Sequence, residues 1–199
     1  MKIYFFLAGL FTCMLVSIFS CDKEPTIITE TVTLTDTIIV NTTDTVLAES
    51  MPITLFLVRH AEDGIGTNPS LNNVGLDRAA SLAHFLDQVP IDVIYSSDFN
   101  RTKETAAPTA ELKQLPVEIY NVGNLQGFKE DLLANHKNKT VLVVGHSNTT
   151  PTLVNLLTNT TNYANFNEQE YDNIFLLKVP VSGATEVLHF KYGEPTITR

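Results

Sequence analysis

Hydrophobic and polar residues alternate with two different spacings along residues 52–199, and the change of spacing predicts strands and helices in turn. Short, continuously apolar runs indicate buried strands, whereas apolar residues three and four apart indicate one face of a helix. The predicted strands are 54–58, 92–95, 117–120, 141–144, 174–179 and 185–192, and the predicted helices are 74–89, one that follows residue 98, 125–133 and 151–157. This order predicts an α/β three-layer sandwich, in which a mostly parallel central sheet has helices on both faces.

Two local signals concern the second predicted helix. Ser96, Ser97 and Asp98 have side chains that can accept hydrogen bonds from a first helical turn, so we expect the N-cap among them. Pro108 has no backbone N–H and its ring collides with the preceding turn, so we expect the helix to kink or restart there. The last two strands are expected to form a closing antiparallel pair.

The first 51 residues follow another pattern. Lys2 precedes an almost entirely apolar run, residues 3–16, which is short for a membrane span and typical of a secretory signal peptide. Cys21 follows a small residue, as in the lipobox of bacterial lipoproteins. We therefore predict a lipoprotein signal peptide at residues 1–20, lipid attachment at Cys21 and an extracytoplasmic location in a bacterial cell envelope, anchored to a membrane. The alternative is an ordinary signal peptide or an N-terminal anchor, with Cys21 incidental.

Residues 21–51 are rich in threonine. Threonine occupies every odd position from 29 to 37, and aliphatic residues fill five of the seven even positions from 28 to 40, a period-two alternation that indicates extended chain. We interpret the segment as a tether that holds a domain of residues 52–199 away from a membrane. The alternative is a strand that pairs with another copy, but an isolated strand has nothing here to pack against.

Composition and charge narrow the possible functions. The chain has 13 Lys and Arg against 22 Asp and Glu, a net charge of −9, which disfavours nucleic acid as a partner. Cys13 and Cys21 are its two cysteines, and neither has a His or Cys at zinc-ligand spacing. EF-hand, His-Glu-x-x-His and P-loop patterns are absent from the sequence, so we predict no metal and no cofactor.

Four cationic or titratable residues follow three of the predicted buried strands. Arg59 and His60 follow the first strand, Arg101 comes shortly after the second, and His146 comes after the strand 141–144. Because ligands of open α/β sheets bind beyond the carboxyl ends of the strands, we expect these four side chains to lie together. Clustered cations require an anion, and arginine forms paired hydrogen bonds with phosphate oxygens. The sequence therefore predicts a phosphate-binding site.

The blocks around these residues are Leu57–Glu62, Leu71–Ala79, Tyr95–Ala106 and Val143–Asn148. In this order they resemble the signature of the histidine phosphatase superfamily, the phosphoglycerate mutase-like enzymes, in the form of a small bacterial member. The resemblance implies that His60 is the nucleophile and that Arg59, Arg101 and His146 hold the phosphoryl oxygens. It implies a metal-independent phosphatase that acts on phosphate monoesters or phosphohistidine through a phosphohistidine intermediate. Its partner would be a small phosphorylated substrate or a phosphoprotein.

Two positions depart from the family pattern. Ala61 follows the nucleophile where the family usually has Gly, and the Glu motif of the proton donor in mutase-like members is not recognisable. By position, the candidate proton donors are Glu104, Glu111, Glu118, Glu130 and Asp131. Glu62 is nearest to His60 in sequence and is a further candidate; the other interpretation is that it pairs with an arginine and orients it. A general acid matters less where the leaving group is already good.

Three other functions compete with the phosphatase. A phosphomutase of the same superfamily would use the same residues, and a non-enzymatic domain would bind phosphate groups without turnover. A serine hydrolase would use Ser147, with Asp172 and His189 in the order of an α/β-hydrolase triad. The nucleophile elbow of that fold needs Gly where Thr149 stands, and the two arginines would be left unexplained.

Overall fold

The computed structural model describes residues 52–196, so the predicted signal peptide, Cys21 and the tether lie outside the described residues. The described part contains β1 (Ile53–Arg59), α1 (Asn73–Phe85), β2 (Val93–Ser97), α2 (Asn100–Lys113), β3 (Val117–Tyr120), α3 (Leu125–Asn135), β4 (Thr140–Gly145), α4 (Thr149–Thr158), β5 (Asn173–Val179) and β6 (Glu186–Lys191). Each predicted strand and helix of the domain is present, with bounds shifted by a few residues. Within residues 52–196, no helix has the length and apolar character needed to cross a membrane.

The strands of the described residues form one sheet in the order β3-β2-β4-β1-β5-β6. β1, β2, β3 and β4 run parallel to one another, whereas β5 is antiparallel to β1 and β6 is antiparallel to β5. The predicted fold class, a mostly parallel sheet in an α/β sandwich, is confirmed. β1 and β4 are adjacent and in register, with Arg59 opposite Gly145, so the residues that follow these strands emerge at the same edge.

The core has two layers because successive residues of the central strands face opposite sides of the sheet. On one side, Leu57 and Val143 belong to a cluster with Leu132 of α3 and Leu153 of α4. On the other side, Phe56, Val58, Leu142 and Val144 belong to a cluster with Leu82 of α1 and Ala106 of α2. Each fully buried aliphatic side chain contributes about 1.5–3 kcal/mol relative to exposure. The rigid sheet edge between these layers carries the polar residues of interest.

The predicted N-cap of α2 is wrong. The cap residue is Phe99, which makes no side-chain cap hydrogen bond. Ser96 and Ser97 remain in β2, where Ser96 donates to the Ser97 carbonyl and Ser97 donates to the hydroxyl of Thr102, and Asp98 pairs with Lys103. The hydroxyls are therefore engaged elsewhere, and that of Ser97 reaches the candidate site described below.

Of the two outcomes expected at Pro108, a restart of the helix is wrong, because α2 continues through this residue to Lys113. A proline inside a helix costs about 3 kcal/mol, through the loss of one hydrogen bond and a steric conflict with the preceding turn. Around Pro108, residues 105, 106, 109 and 110 are all buried. Burial of this face outweighs the local cost, a case in which tertiary packing overrides helix propensity.

Candidate active site

His60 lies at the centre of the site and its tautomer is fixed by its neighbours. Its backbone N–H donates to the Gly145 carbonyl of β4 at 2.9 Å, which joins the two strand ends. Its Nδ1 lies 2.8 Å from the Ala61 carbonyl oxygen and must carry the hydrogen, because a carbonyl only accepts. Arg101 Nε donates to Nε2 at 3.1 Å. Nε2 therefore presents a lone pair, which is the form of imidazole that can attack an electrophile.

The charge of His60 is set by burial. Removal of the ring from water lowers its pKa to about 3, a shift that the hydrogen bond with the Ala61 carbonyl opposes and the positive charges of Arg59 and Arg101 extend. The ring is consequently neutral at and around neutral pH. A neutral imidazole is required of a nucleophile, so burial and tautomer favour the same chemistry.

His146 lies beside His60, with ring centroids 5.4 Å apart, and its tautomer follows from a chain of hydrogen bonds. Thr102 donates its hydroxyl to the Ser97 carbonyl at 2.9 Å, so it accepts the hydroxyl proton of Ser97, also at 2.9 Å. The Ser97 oxygen, 2.8 Å from His146 Nε2, must then accept from that nitrogen. This leaves Nδ1 of His146 unprotonated, 3.5 Å from Arg101 Nη2. Burial lowers the pKa of His146 to about 4, and the charges of Arg101 and Arg59 add to the shift.

Arg59 is 3% exposed and is held by the segment between α4 and β5, residues 160–172. Its Nη1 donates to the carbonyls of Asn167 and Glu170 at 2.8 and 3.2 Å, and its guanidinium lies over the Tyr171 ring, 4.0 Å from the centroid. Its Nη2 pairs with the Glu168 carboxylate at 3.3 Å. Its Nε is buried without a hydrogen-bond partner among the described residues. An orphaned buried donor is costly, so this N–H is available for an anion.

Arg101 lies between the two histidines and completes the group. Besides its contacts with both rings, its guanidinium lies over the Phe99 ring, 4.7 Å from the centroid, and its Nε is 3.6 Å from Asp63 Oδ2. The structure thus brings together the four side chains that the sequence placed at one sheet edge, Arg59, His60, Arg101 and His146. Two guanidinium groups and two neutral imidazoles form a locally cationic pocket on an acidic protein.

Glu62 is near His60 in sequence but its carboxylate is engaged elsewhere. It accepts three hydrogen bonds from Arg78, at 2.7 to 3.0 Å, and Arg78 also donates to the carbonyls of Tyr192 and Glu194. The interpretation of Glu62 as the partner of an arginine fits these contacts, and a role as proton donor does not. Among the other candidates, Glu104 accepts from the Leu71 N–H, Glu130 from Gln126 and Asp131 from Asn135.

The acidic side chain that sequence reasoning missed is Asp63, which pairs with Arg101 rather than with Arg78. Successive residues of an extended segment point in opposite directions, so Glu62 and Asp63 cannot face the same arginine. This alternation, applied to residues that directly follow His60, is the sequence signal that distinguishes them.

The residues of the serine-hydrolase alternative are not assembled in the described part of the chain. His189 Nε2 lies 2.8 Å from the Asn173 side-chain oxygen, and Asp172 pairs with Lys191 at 2.9 Å. The two ring nitrogens of His146 face Ser97 and Arg101 rather than Ser147. Over residues 52–196, no three His, Cys, Asp or Glu side chains form a group that could hold a metal ion.

The fold and the site together define an α/β sandwich in which two arginines and two neutral histidines meet at the carboxyl end of the sheet. The model of the histidine phosphatase superfamily, branch 1, matches residues 55–121, which include Arg59, His60 and Arg101. The resemblance to this superfamily is therefore confirmed by sequence over the matched residues.

Solved structures support the assignment of the fold. The protein histidine phosphatase SixA, in complex with tungstate, superposes with a TM-score of 0.59 at 20% identity, over 69% of this chain and 96% of SixA. The phosphoserine phosphatase of Entamoeba histolytica has a TM-score of 0.52 at 19% identity, over 65% of this chain and 95% of that protein. A mycobacterial glucosyl-3-phosphoglycerate phosphatase has a TM-score of 0.52 at 14% identity, over 65% and 90%. Comparison with curated protein sequences gives no match.

Proposed function

We propose that this chain is a metal-independent phosphatase that hydrolyses phosphate monoesters or phosphohistidine through a phosphohistidine on His60. The observation that carries the proposal is the Nε2 lone pair of a neutral His60, held by the Ala61 carbonyl and directed to Arg101. The phosphatases among the superfamily's solved structures support the same class of reaction.

In the first step, His60 Nε2 attacks phosphorus. The N–P bond to His60 forms as the bond from phosphorus to the leaving atom breaks; that atom, the ester oxygen of a monoester or the imidazole nitrogen of a phosphohistidine, takes the electron pair and then a proton. In the second step, water attacks the phosphohistidine, the N–P bond breaks and inorganic phosphate leaves. Division into two displacements is ordinary nucleophilic catalysis.

The arginines provide positioning and charge, which dominate phosphoryl transfer. The unpartnered Nε of Arg59 and the guanidinium of Arg101 are available to the phosphoryl oxygens. Nδ1 of His146 faces Arg101 with a lone pair, so a bound dianion would favour its protonation and gain one more donor. The side chains of the pocket are therefore arranged to bind a negatively charged group such as a phosphoryl dianion.

The test is phosphate release and phosphoenzyme trapping with the full-length chain. His60→Gln is expected to abolish hydrolysis of nitrophenyl phosphate and to remove an acid-labile, alkali-stable phosphoryl label. His84→Gln is the matched control, because His84 is exposed on α1 and lies outside the site. Full activity of His60→Gln would refute the proposal, and transfer of the phosphoryl group to a second hydroxyl instead of water would convert it to a mutase.

We also propose that Cys21 is lipidated and anchors the domain at a membrane of the cell envelope, which would favour an extracytoplasmic phosphoester as substrate. The support is the sequence alone, the apolar run that ends in a small residue and Cys21. Expression in a bacterium with Cys21→Ser should move the protein from the detergent phase to the aqueous phase of a phase-partition assay. Unchanged partition and a cleaved N-terminus that lacks a lipid would rule the anchor out.

A further inference from the structure

Asp63 is held in place by the turn that precedes α1. Its backbone forms an isolated antiparallel bridge with Leu71, and its carbonyl accepts a hydrogen bond from the Asn72 side chain at 3.1 Å. Asn72 also caps α1, through a bond from the Gly75 N–H to its side-chain oxygen at 3.0 Å. A side chain at Gly75 would collide with the Glu62 carbonyl, so the helix packs directly on this segment. The position of Asp63 relative to His60 is thus fixed by backbone contacts.

The carboxylate of Asp63 is next to the reacting nitrogen through a shared donor. Arg101 Nε lies 3.1 Å from His60 Nε2 and 3.6 Å from Asp63 Oδ2, so one N–H is placed between the nucleophile and this carboxylate. The Asp63 side chain is 22% exposed, which leaves room for a substrate to reach it.

The other carboxylates around the pocket are less suited to contact a leaving group. Glu62 is saturated by Arg78. Glu168 is 86% exposed and pairs with Arg59. That arginine also donates hydrogen bonds to two main-chain carbonyls. A mobile, solvated carboxylate loses more conformational freedom when it is positioned than one whose backbone is already bridged.

We propose that Asp63 is the general acid and base of the reaction, an inference that rests on the proposed phosphatase activity of His60. In the first step, the protonated carboxyl of Asp63 gives its proton to the leaving oxygen as that oxygen separates from phosphorus. In the second step, the Asp63 carboxylate takes a proton from the water that attacks the phosphohistidine. The proton lost in the first step is restored in the second, so the cycle balances without another reactant.

After the leaving group has departed as a neutral alcohol, the ionised carboxylate is ready to act as a base.

The experiment compares two substrates that differ in their need for an acid. Nitrophenolate leaves readily without a proton, whereas phenolate from phenyl phosphate gains more from one. D63N is expected to lower kcat/KM for phenyl phosphate on the order of 100-fold, and for nitrophenyl phosphate by less than about tenfold. Asp98→Asn is the matched control, because Asp98 is 75% exposed and pairs with Lys103 outside the pocket. The control should lower both rates equally or not at all.

The outcomes separate this proposal from the one it rests on. If D63N retains the acid-labile phosphoenzyme with nitrophenyl phosphate but loses phenyl phosphate turnover, both proposals stand. Equal losses on the two substrates, or none, would overturn the role of Asp63 while leaving His60 as the nucleophile. A leaving-group-dependent loss in Glu168→Gln and not in D63N would assign the role to Glu168. Should D63N fail to fold, Asp63→Glu, which keeps the carboxyl but displaces it by one methylene, must show the same substrate-dependent loss.

Discussion

Two kinds of arginine environment meet at the segment that follows β1, that of Arg78 from α1 and that of Arg59 at the end of β1 and Arg101 from α2. Arg78 forms a closed pair with Glu62 and donates its remaining N–H groups to main-chain carbonyls, so this buried cation is largely neutralised. Among the described residues, the ionic partner of Arg59 is the exposed Glu168 carboxylate and that of Arg101 is the more distant Asp63 carboxylate. Arg59 Nε is buried and has no hydrogen-bond partner among the same residues.

The difference distinguishes an arginine that stabilises the fold, Arg78, from two arginines that could bind an anion, Arg59 and Arg101. A buried ion pair with satisfied hydrogen bonds loses stability when one partner is removed, because the other is left uncompensated. Arg59 and Arg101 have weaker ionic partners in the free protein, the exposed Glu168 and the more distant Asp63, so a bound anion would be their main counter-charge. The first kind of arginine should therefore affect stability when it is replaced, and the second kind should affect activity.

Arg101 gives the largest expected effect. Arg101→Met should lower kcat/KM for nitrophenyl phosphate on the order of 1,000-fold, because it removes the group that contacts both histidines and, in the proposed reaction, would bind the phosphoryl oxygens. The free energy of unfolding in urea should stay the same or rise, since a cation is removed from a cationic pocket. A variant that is both inactive and markedly destabilised would contradict the distinction between the two environments.

Arg78 gives the opposite result. Arg78→Met should lower the free energy of unfolding by about 3 kcal/mol, because Glu62 is left partly buried and unpaired. Activity per folded molecule should change only a few-fold. The double variant with Glu62→Gln should recover part of the stability, as a double-mutant cycle in urea denaturation would measure. Additive losses would mean that the pair is not coupled.

Ser97 tests whether the second histidine depends on its hydrogen-bond chain. Ser97→Ala removes the acceptor of the His146 Nε2–H, so the ring should populate both tautomers. We expect kcat/KM to fall about tenfold, with Ser97→Thr recovering most of it. Nitrogen chemical shifts of labelled His146 report the tautomer directly, and a single Nε2–H form in Ser97→Ala would contradict this account.

Acid pH should weaken the fold through the two buried neutral histidines. Their pKa values, about 3 for His60 and about 4 for His146, lie below that of an unfolded histidine near 6.5, so the unfolded chain binds more protons as the pH falls through this range. Stability is therefore complete above about pH 6.5 and declines below it, by about 1 kcal/mol per pH unit for His60. His60→Gln should flatten the decline measured by urea denaturation between pH 6.5 and 4.5, and an unchanged slope would exclude His60 as its source.

The position of the site was predictable because it depends on strand ends. Arg59, His60 and His146 follow continuously apolar runs, and they come together because the two parallel strands that precede them are neighbours with a shared carboxyl edge. The predicted closing pair of antiparallel strands is confirmed. It was predictable because the two strands and their turn are adjacent in sequence.

Features that depend on distant contacts were not predictable. Glu62 pairs with Arg78 and Asp63 pairs with Arg101, and these two arginines come from different helices. The continuation of α2 through Pro108 depends on burial against the sheet, which composition does not report. The main-chain carbonyls that hold Arg59 come from a segment without regular structure more than 100 residues later in the chain.

The hydrogen bonds between Arg59 and these main-chain carbonyls have an evolutionary consequence. The carbonyls belong to positions 167 and 170, and every amino acid supplies the same main-chain carbonyl. The side chains of this segment can therefore drift without displacing the arginine, provided that the backbone path is kept. A lineage could remodel the rim of the pocket for new substrates here while the phosphate-binding apparatus stays in register.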